Sequence, residues 1–402
     1  MAGRDFLHSP GPTHIPDRVL GAMHRQPLDL VDARLKDVAR TCFEDLRAVF
    51  RTRGHVFVYA ANGHGGWEAA LANICLPGDA VLVPEVGHFS NSWAEHARAL
   101  GLETDVIRGD WRRAVDPQEV ADHLRADRGG RIKAVLAVQV DTGTGIANDV
   151  PALRAAIDAA GHPALLVVDT IASLAAMPFE MDEWGVDVAI TASQKALMCP
   201  PGLAIVAAGE RALELSAGLA RRQRYWDWAP RLGDESYMKF CGTMPEHLMF
   251  GLREALDIVG EQGLPAIFRR HRRLAGAVHR AVEVWSEAGA LSFNALVPEQ
   301  RAVSVTAIRT SAGVDADRIR THARESLGVS VAGGLGLLAG HAFRIGHLGD
   351  LNEAMLLGCL SALEVALIEL RVPHGTQGVR AAIEYLASER AEAGEGFVKG
   401  PA

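Results

Sequence analysis

The chain lacks the features that would mark it for an oxidising compartment, a membrane or a nucleic acid. Its 402 residues hold only five cysteines, Cys42, Cys75, Cys199, Cys241 and Cys359, and no C-x-x-C pair. An odd number without paired spacing argues against a disulfide framework and a zinc site, and points to a reducing compartment. There is no run of 18 apolar residues, so no membrane-spanning helix is expected. Met1 to Pro12 carries no apolar stretch of the secretory kind. Basic residues do not dominate: 41 Lys and Arg face 49 Asp and Glu, a net charge of −8. A nucleic-acid or anionic-membrane partner is therefore not expected, and the cytoplasm is the expected location. G-x-G-x-x-G, Walker A, internal repeats and low-complexity tracts are absent too. What remains is 49% hydrophobic and 22% charged. That is ample for a packed core, over a length that suggests two or three domains.

The chain is organised around two apolar runs that end on polar residues. Ala164 to Val168 ends on Asp169, and Val186 to Ile190 leads through Ser193 and Gln194 to Lys195. Both read as buried strands, and in an open α/β sheet ligands collect beyond the carboxyl ends of such strands. A lysine there can form a Schiff base, and a carboxylate can pair with a protonated ring nitrogen. The combination fits pyridoxal 5′-phosphate (PLP).

Other segments add to this. Residues 5–19 contain three prolines and a glycine, which forbid a helix, while Phe6, Leu7 and Ile15 call for burial. His55 to Ala60 reads as a strand feeding Asn62-Gly63-His64-Gly65, then a helix, the geometry that offers backbone N–H groups to an anion. Phe89 follows another strand end and could stack on a ring. Ile132 to Val140 opens into Asp141-Thr142-Gly143-Thr144-Gly145, a polar loop whose hydroxyl residues could reach a ligand or simply close a turn. Residues 221–228 crowd Arg221, Arg222 and Arg224 against Tyr225, Trp226 and Trp228, which suggests burial against a partner or ligand. In Phe343-Arg344-Ile345, a strand-like triplet, the arginine lies between apolar neighbours and needs an anionic partner. The division expected is an arm over 1–20, a large domain over 21–270 and a small domain over 271–402, with a long linking helix at about 245–288. The polar tail, 386–402, is expected to fray.

These motifs, in this order from about residue 9 to 350, resemble class V aminotransferases of the alanine–, serine– and aspartate–glyoxylate type. Ser9-Pro10-Gly11-Pro12-Thr13 resembles the family's arm, and Asn62-Gly63-His64-Gly65 its phosphate turn. Asp141 to Gly145 resembles E-[TS]-S-T-G. Val168-Asp169-Thr170 and Ser193-Gln194-Lys195, with Pro200-Pro201-Gly202, resemble its central signatures. Gly333 to Gly336 and Phe343 to His347 resemble its carboxyl-terminal one. The resemblance implies the α/β fold of PLP fold-type I: a large domain with a mainly parallel sheet flanked by helices, and a smaller α/β domain. It implies that Lys195 carries the cofactor and acts as base, and that Asp169 pairs with the ring nitrogen. Gly63, His64, Gly65 and Gln194 would hold the phosphate, Phe89 would stack on the ring and Thr142 would approach its 3′-oxygen. Arg344 would clamp the substrate carboxylate, with Pro12 and His14 on the substrate side.

The family forms homodimers, and Thr243 would reach the phosphate of the neighbouring subunit. The usual tyrosine of that contact is Phe240 here, and the arm's usual asparagine is His14. The activity expected is transfer of an amino group from serine or aspartate, less so alanine, to glyoxylate by a ping-pong cycle. The other readings are a PLP lyase or desulfurase using Cys199, and a non-catalytic binding protein. No metal is expected.

Overall fold

The computed structural model describes residues 4–220 and 223–392. The apolar runs become a seven-stranded sheet in the order His55–Ala60, Leu203–Ala208, Val188–Ala192, Leu165–Asp169, Ile132–Val138, Ala80–Pro84, Glu103–Ile107. All strands run parallel except Leu203–Ala208, which is antiparallel to both neighbours. The inner strands Leu203–Ala208, Val188–Ala192, Leu165–Asp169 and Ala80–Pro84 are buried along their length because both faces are covered, whereas the edge strand Glu103–Ile107 alternates exposed residues with half-buried or buried ones. Leu166 and Val168 enter one hydrophobic core, while Leu165 and Val167 point into the other.

A second, five-stranded sheet has the order Phe6–His8, Val329–Gly333, Ala342–Gly346, Val305–Thr310, Leu291–Phe293. Its first strand comes from the arm: Phe6, Leu7 and His8 pair in parallel with Val329, Ser330 and Val331. The arm is therefore part of a sheet as well as an extended cover. Phe6 and Leu7 stay more than a third exposed, whereas Ile15 packs on the large core.

The expected linking helix is two helices, Glu246–Gln262 and Leu264–Trp285. They meet at Gly263, whose φ of 74° leaves the helical region. The tail also differs from the expectation: Gly378–Glu392 is a helix. It is seated so closely on Leu264–Trp285 that a Cβ at Gly276 would lie 2.3 Å from the Tyr385 hydroxyl. The remainder of the tail, 393–402, lies outside the described residues. Among the described residues no helix is long and apolar enough to cross a membrane, and no His, Cys, Asp and Glu group could hold a metal ion.

Candidate active site

Asp169 is the last residue of its strand and pairs in register with Ile190 on the next. Lys195 follows three residues after that second strand ends at Ala192. The turn carrying it is pinned. Ser193 Oγ donates to the Pro200 carbonyl at 2.7 Å and accepts from the Leu203 amide at 3.2 Å. Lys195 Nζ donates to the Pro10 carbonyl at 2.7 Å. Burial pulls its pKa down to about 8; the Arg344 charge pulls in the same direction and Asp169 opposes both. Asp169 is moved the other way, up to about 7, chiefly by burial. The Ile171 amide and the Trp67 indole N–H donate to it at 2.7 and 2.9 Å and favour its charged form.

Both groups line one cavity together with Gly63, His64, Phe89, Thr142 and Gln194. Asn62 caps the helix Gly63–Ile74, its Oδ1 accepting from the His64 and Gly65 amides. Gly63 has no room for a side chain, since a Cβ would fall 2.4 Å from Ile171 Cδ1. The His64 ring meets Trp67 edge-on at 4.5 Å, and Trp67 stacks on Trp93. Burial, with His96 and His88 adding, lowers the His64 pKa. Gln194 Oε1 is buried without a hydrogen-bond partner.

Arg344 stands beside the cavity rather than in its lining. Its Nε donates to the Gly333 carbonyl at 2.7 Å and Nη1 to the Thr142 carbonyl at 2.8 Å. Burial lowers its pKa to about 10, which Asp141 opposes. The arm closes the site. A Cβ on Gly11 would lie 2.3 Å from Lys195 Nζ, and Thr13 Oγ1 donates to the Lys195 carbonyl at 2.9 Å. Next to these, Pro12 is exposed and His14 half-buried, its Nδ1 without a partner.

Two sequence-predicted residues, Gly65 and Thr243, stand apart, as does Phe240, which replaces the family's tyrosine. Gly65 faces Ala61 and Trp226 rather than the cavity. Thr243 is exposed and outside the lining. Phe240 is buried against Phe43 in this chain's own core, at 6.1 Å between rings.

The cation-rich segment differs from its reading. Trp228 stacks on Phe57 at 5.2 Å, and the Trp226 carbonyl accepts from Tyr59 and Asn73. This is packing within the chain. Arg224 is exposed, and Arg221 and Arg222 lie outside the described residues. Sequence reasoning missed Trp67, the Pro10 carbonyl and Asp141. Trp67 carried a signal, standing one helical turn from Gly63 on the face that Gly63 turns to the cavity.

A buried amine and a buried acid, moved toward neutrality from opposite sides across one cavity, suit an aldehyde-bearing pyridine. The unpartnered amide oxygen and the glycine cradle suit its polar substituents. Residues 6–338 match the family model described as aminotransferase class-V. The chain is 41% identical over 392 residues to the serine–glyoxylate aminotransferase of Methylorubrum extorquens, covering 96% of each. It is 36% identical over 395 residues to the L-aspartate–glyoxylate aminotransferase of Paracoccus denitrificans, covering 98% of this chain and 99% of that one. The structure of ureidoglycine–glyoxylate aminotransferase from Bacillus subtilis superimposes with a TM-score of 0.87 at 25% identity, over 96% of this chain and 99% of that one.

Proposed function

The chain belongs to the class-V aminotransferases, a family that uses PLP, and from that premise we propose that it moves the amino group of L-serine to glyoxylate, giving glycine and hydroxypyruvate. The observation that carries the reading is the pair Lys195 and Asp169, moved toward neutrality from opposite sides on one cavity. When bound there, PLP supplies an aldehyde to take up the amine and a pyridine ring to draw electrons from Cα.

The residues of this chain do the rest. Burial brings the Lys195 pKa down to about 8, so Nζ can release and take back a proton near neutral pH, and the Pro10 carbonyl aims it. Asp169 holds a proton on the ring nitrogen, and Trp67 and the Ile171 amide keep the carboxylate in place. Gly63, His64 and Gln194 would hold the phosphate end, Phe89 would cover the ring and Thr142 would approach its oxygen. Arg344, anchored by two carbonyls, receives the α-carboxylate. In this reading a second copy of the chain supplies Thr243, and Pro12 and His14 close the substrate side.

The choice of donor rests on charge. Arg344 meets one carboxylate, and aspartate would bring a second that needs its own cation. Among the described residues, the basic side chains of the lining itself are Lys195 and His64, and burial holds His64 toward its neutral form. Serine needs only a hydrogen bond for its hydroxyl, so it stands ahead of aspartate, with alanine third. The desulfurase reading loses its nucleophile. Cys199 is buried and its amide is held by the Ser193 carbonyl, while burial pushes its thiol pKa up.

The test is kcat/KM for serine, aspartate and alanine, each with glyoxylate as acceptor. Serine should lead aspartate by at least about tenfold, the factor that 1.4 kcal/mol supplies. Equal or better use of aspartate would mean that a cation reaches the cavity from outside the described residues or from a second copy.

A further inference from the structure

The turn read as Asp141 to Gly145 holds a carboxylate that the function above leaves unused. Asp141 is 0% exposed and accepts four backbone N–H bonds, divided evenly between its two oxygens. Oδ2 receives the amides of Phe89 at 2.8 Å and Ser90 at 3.4 Å. Oδ1 receives those of Gly143 at 2.8 Å and Thr144 at 3.3 Å.

The first pair opens the helix His88–Ala99, whose N-cap position is Gly87, a residue with no side chain to cap with. Asp141 supplies the missing cap from another segment. Gly87 makes room for it, because a Cβ there would lie 2.5 Å from Asp141 Cγ. The backbone at Gly87 is extended, with φ 171°, so that steric contact and not conformation asks for glycine. The second pair fixes the loop whose Thr142 carbonyl anchors Arg344. One buried carboxylate thus joins the helix start that presents Phe89 to the loop that aims Arg344.

We propose that Asp141 is a positioning residue that sets the distance between the ring platform at Phe89 and the carboxylate clamp at Arg344. The proposal rests on the aminotransferase reading of those two residues. Its physical content is that orientation errors of about 1 Å cost about a hundredfold in rate. Asp141 acts on substrates through the placement of Arg344, so its loss should fall on substrates that carry a carboxylate.

Two variants separate position from charge. Asp141→Asn keeps the volume but can accept on one side only, which leaves an N–H pair facing an amide N–H. Gly87→Ala keeps the charge and displaces the carboxylate. For each, the first half-reaction is followed in single turnover with serine and with ethanolamine, which is serine without its carboxylate. In the same proteins, calorimetry measures binding of propionate, an unreactive carboxylate.

Both variants should lower the serine-to-ethanolamine rate ratio about tenfold or more and weaken propionate by a similar factor. The double variant should be little worse than the poorer single one, since both break one contact. If both rates fall together while the ratio and propionate affinity hold, Asp141 is only a helix cap and the proposal fails. A rise of the ratio in Asp141→Asn would make it a charge opposing the clamp and would overturn the proposal as well. Should the wild type itself show no preference for serine over ethanolamine and no propionate binding, the fault lies with the assignment of Arg344, not of Asp141.

Discussion

Two nests of aromatic and cationic side chains meet at Gly65, and among the described residues the first lines the cavity of Lys195 and Asp169 while the second does not. On one side Trp67, backed by Trp93, lines with His64 and Phe89 the cavity that holds Asp169 and Lys195. On the other, Arg231 lies over the rings of Tyr59 and Tyr225, at 4.2 and 5.4 Å, and Trp226 packs against both tyrosines. The terminal nitrogens of Arg231 donate to the carbonyls of Val58, Lys239 and Tyr225. By composition the second nest looks as functional as the first. Its guanidinium, however, is engaged by backbone carbonyls, and the nest does not line the cavity of Lys195 and Asp169. What distinguishes the first nest is a pair of ionisable groups moved toward neutrality from opposite directions.

The largest effect expected is at Lys195. Lys195→Ala should lower transamination at least about a thousandfold, within the range a positioned acid–base group contributes. Borohydride should no longer trap the cofactor on the protein. In the wild type, peptide mapping should place the trapped group on Lys195; finding it on Lys133 or Lys239 would dissolve the distinction between the nests.

Asp169→Asn should cost about a hundredfold in turnover and leave a second trace, in stability. Burial raises the Asp169 pKa from 3.8 to about 7, so in the cofactor-free protein the folded state holds this proton more tightly than the unfolded one. Its contribution is then full below about pH 4 and is lost as pH rises through 7, at most roughly 4 kcal/mol in all. Denaturant titrations between pH 4 and 8 should show that decline in the wild type and a flatter profile in Asp169→Asn. Parallel profiles would mean that the carboxylate titrates normally.

The smallest functional effect belongs to the second nest. Arg231→Met should lower stability by about 2–3 kcal/mol through lost charge-assisted bonds, while kcat per folded molecule stays within about twofold. Collapsed turnover at unchanged stability would place Arg231 in the catalytic apparatus.

The strand ends of the site were legible because a strand covered on both faces is apolar throughout, so the polar residue that ends it stands out. That is how Asp169, Lys195 and the Asn62-Gly63-His64 turn could be seen. Arg344 was legible by the same contrast, as a cation between Phe343 and Ile345. Asp141 was not, because a carboxylate in a glycine-rich turn looks like ordinary turn chemistry; its partners Phe89 and Ser90 lie about fifty positions away. In the Arg221 to Trp228 segment the tryptophans called for burial, and sequence alone does not reveal that Trp226 and Trp228 find it against Tyr59 and Phe57 of the same chain. The strand Phe6–His8 is too short and proline-flanked to announce itself, and its pairing partner lies at Val329–Val331. The end of Gly378–Glu392, from 386 on, reads as polar tail because the segment's Gly, Ala and Ser positions show little apolar periodicity.

The arm that covers Lys195 has a consequence for the order in which the molecule is made. Its edge strand has nowhere to dock until Val329–Val331 exists, and His8 faces the Gly346 carbonyl across 338 positions of chain. At about 5–20 residues per second the ribosome needs on the order of tens of seconds to supply that partner. Through this interval the seven strands of the large sheet, complete by Ala208, can assemble with the lysine uncovered. The Pro10 carbonyl and Gly11 settle over it only when the second sheet closes. The nascent protein thus passes through a stage in which its reactive amine is open to solvent, and sealing it is among the last acts of folding.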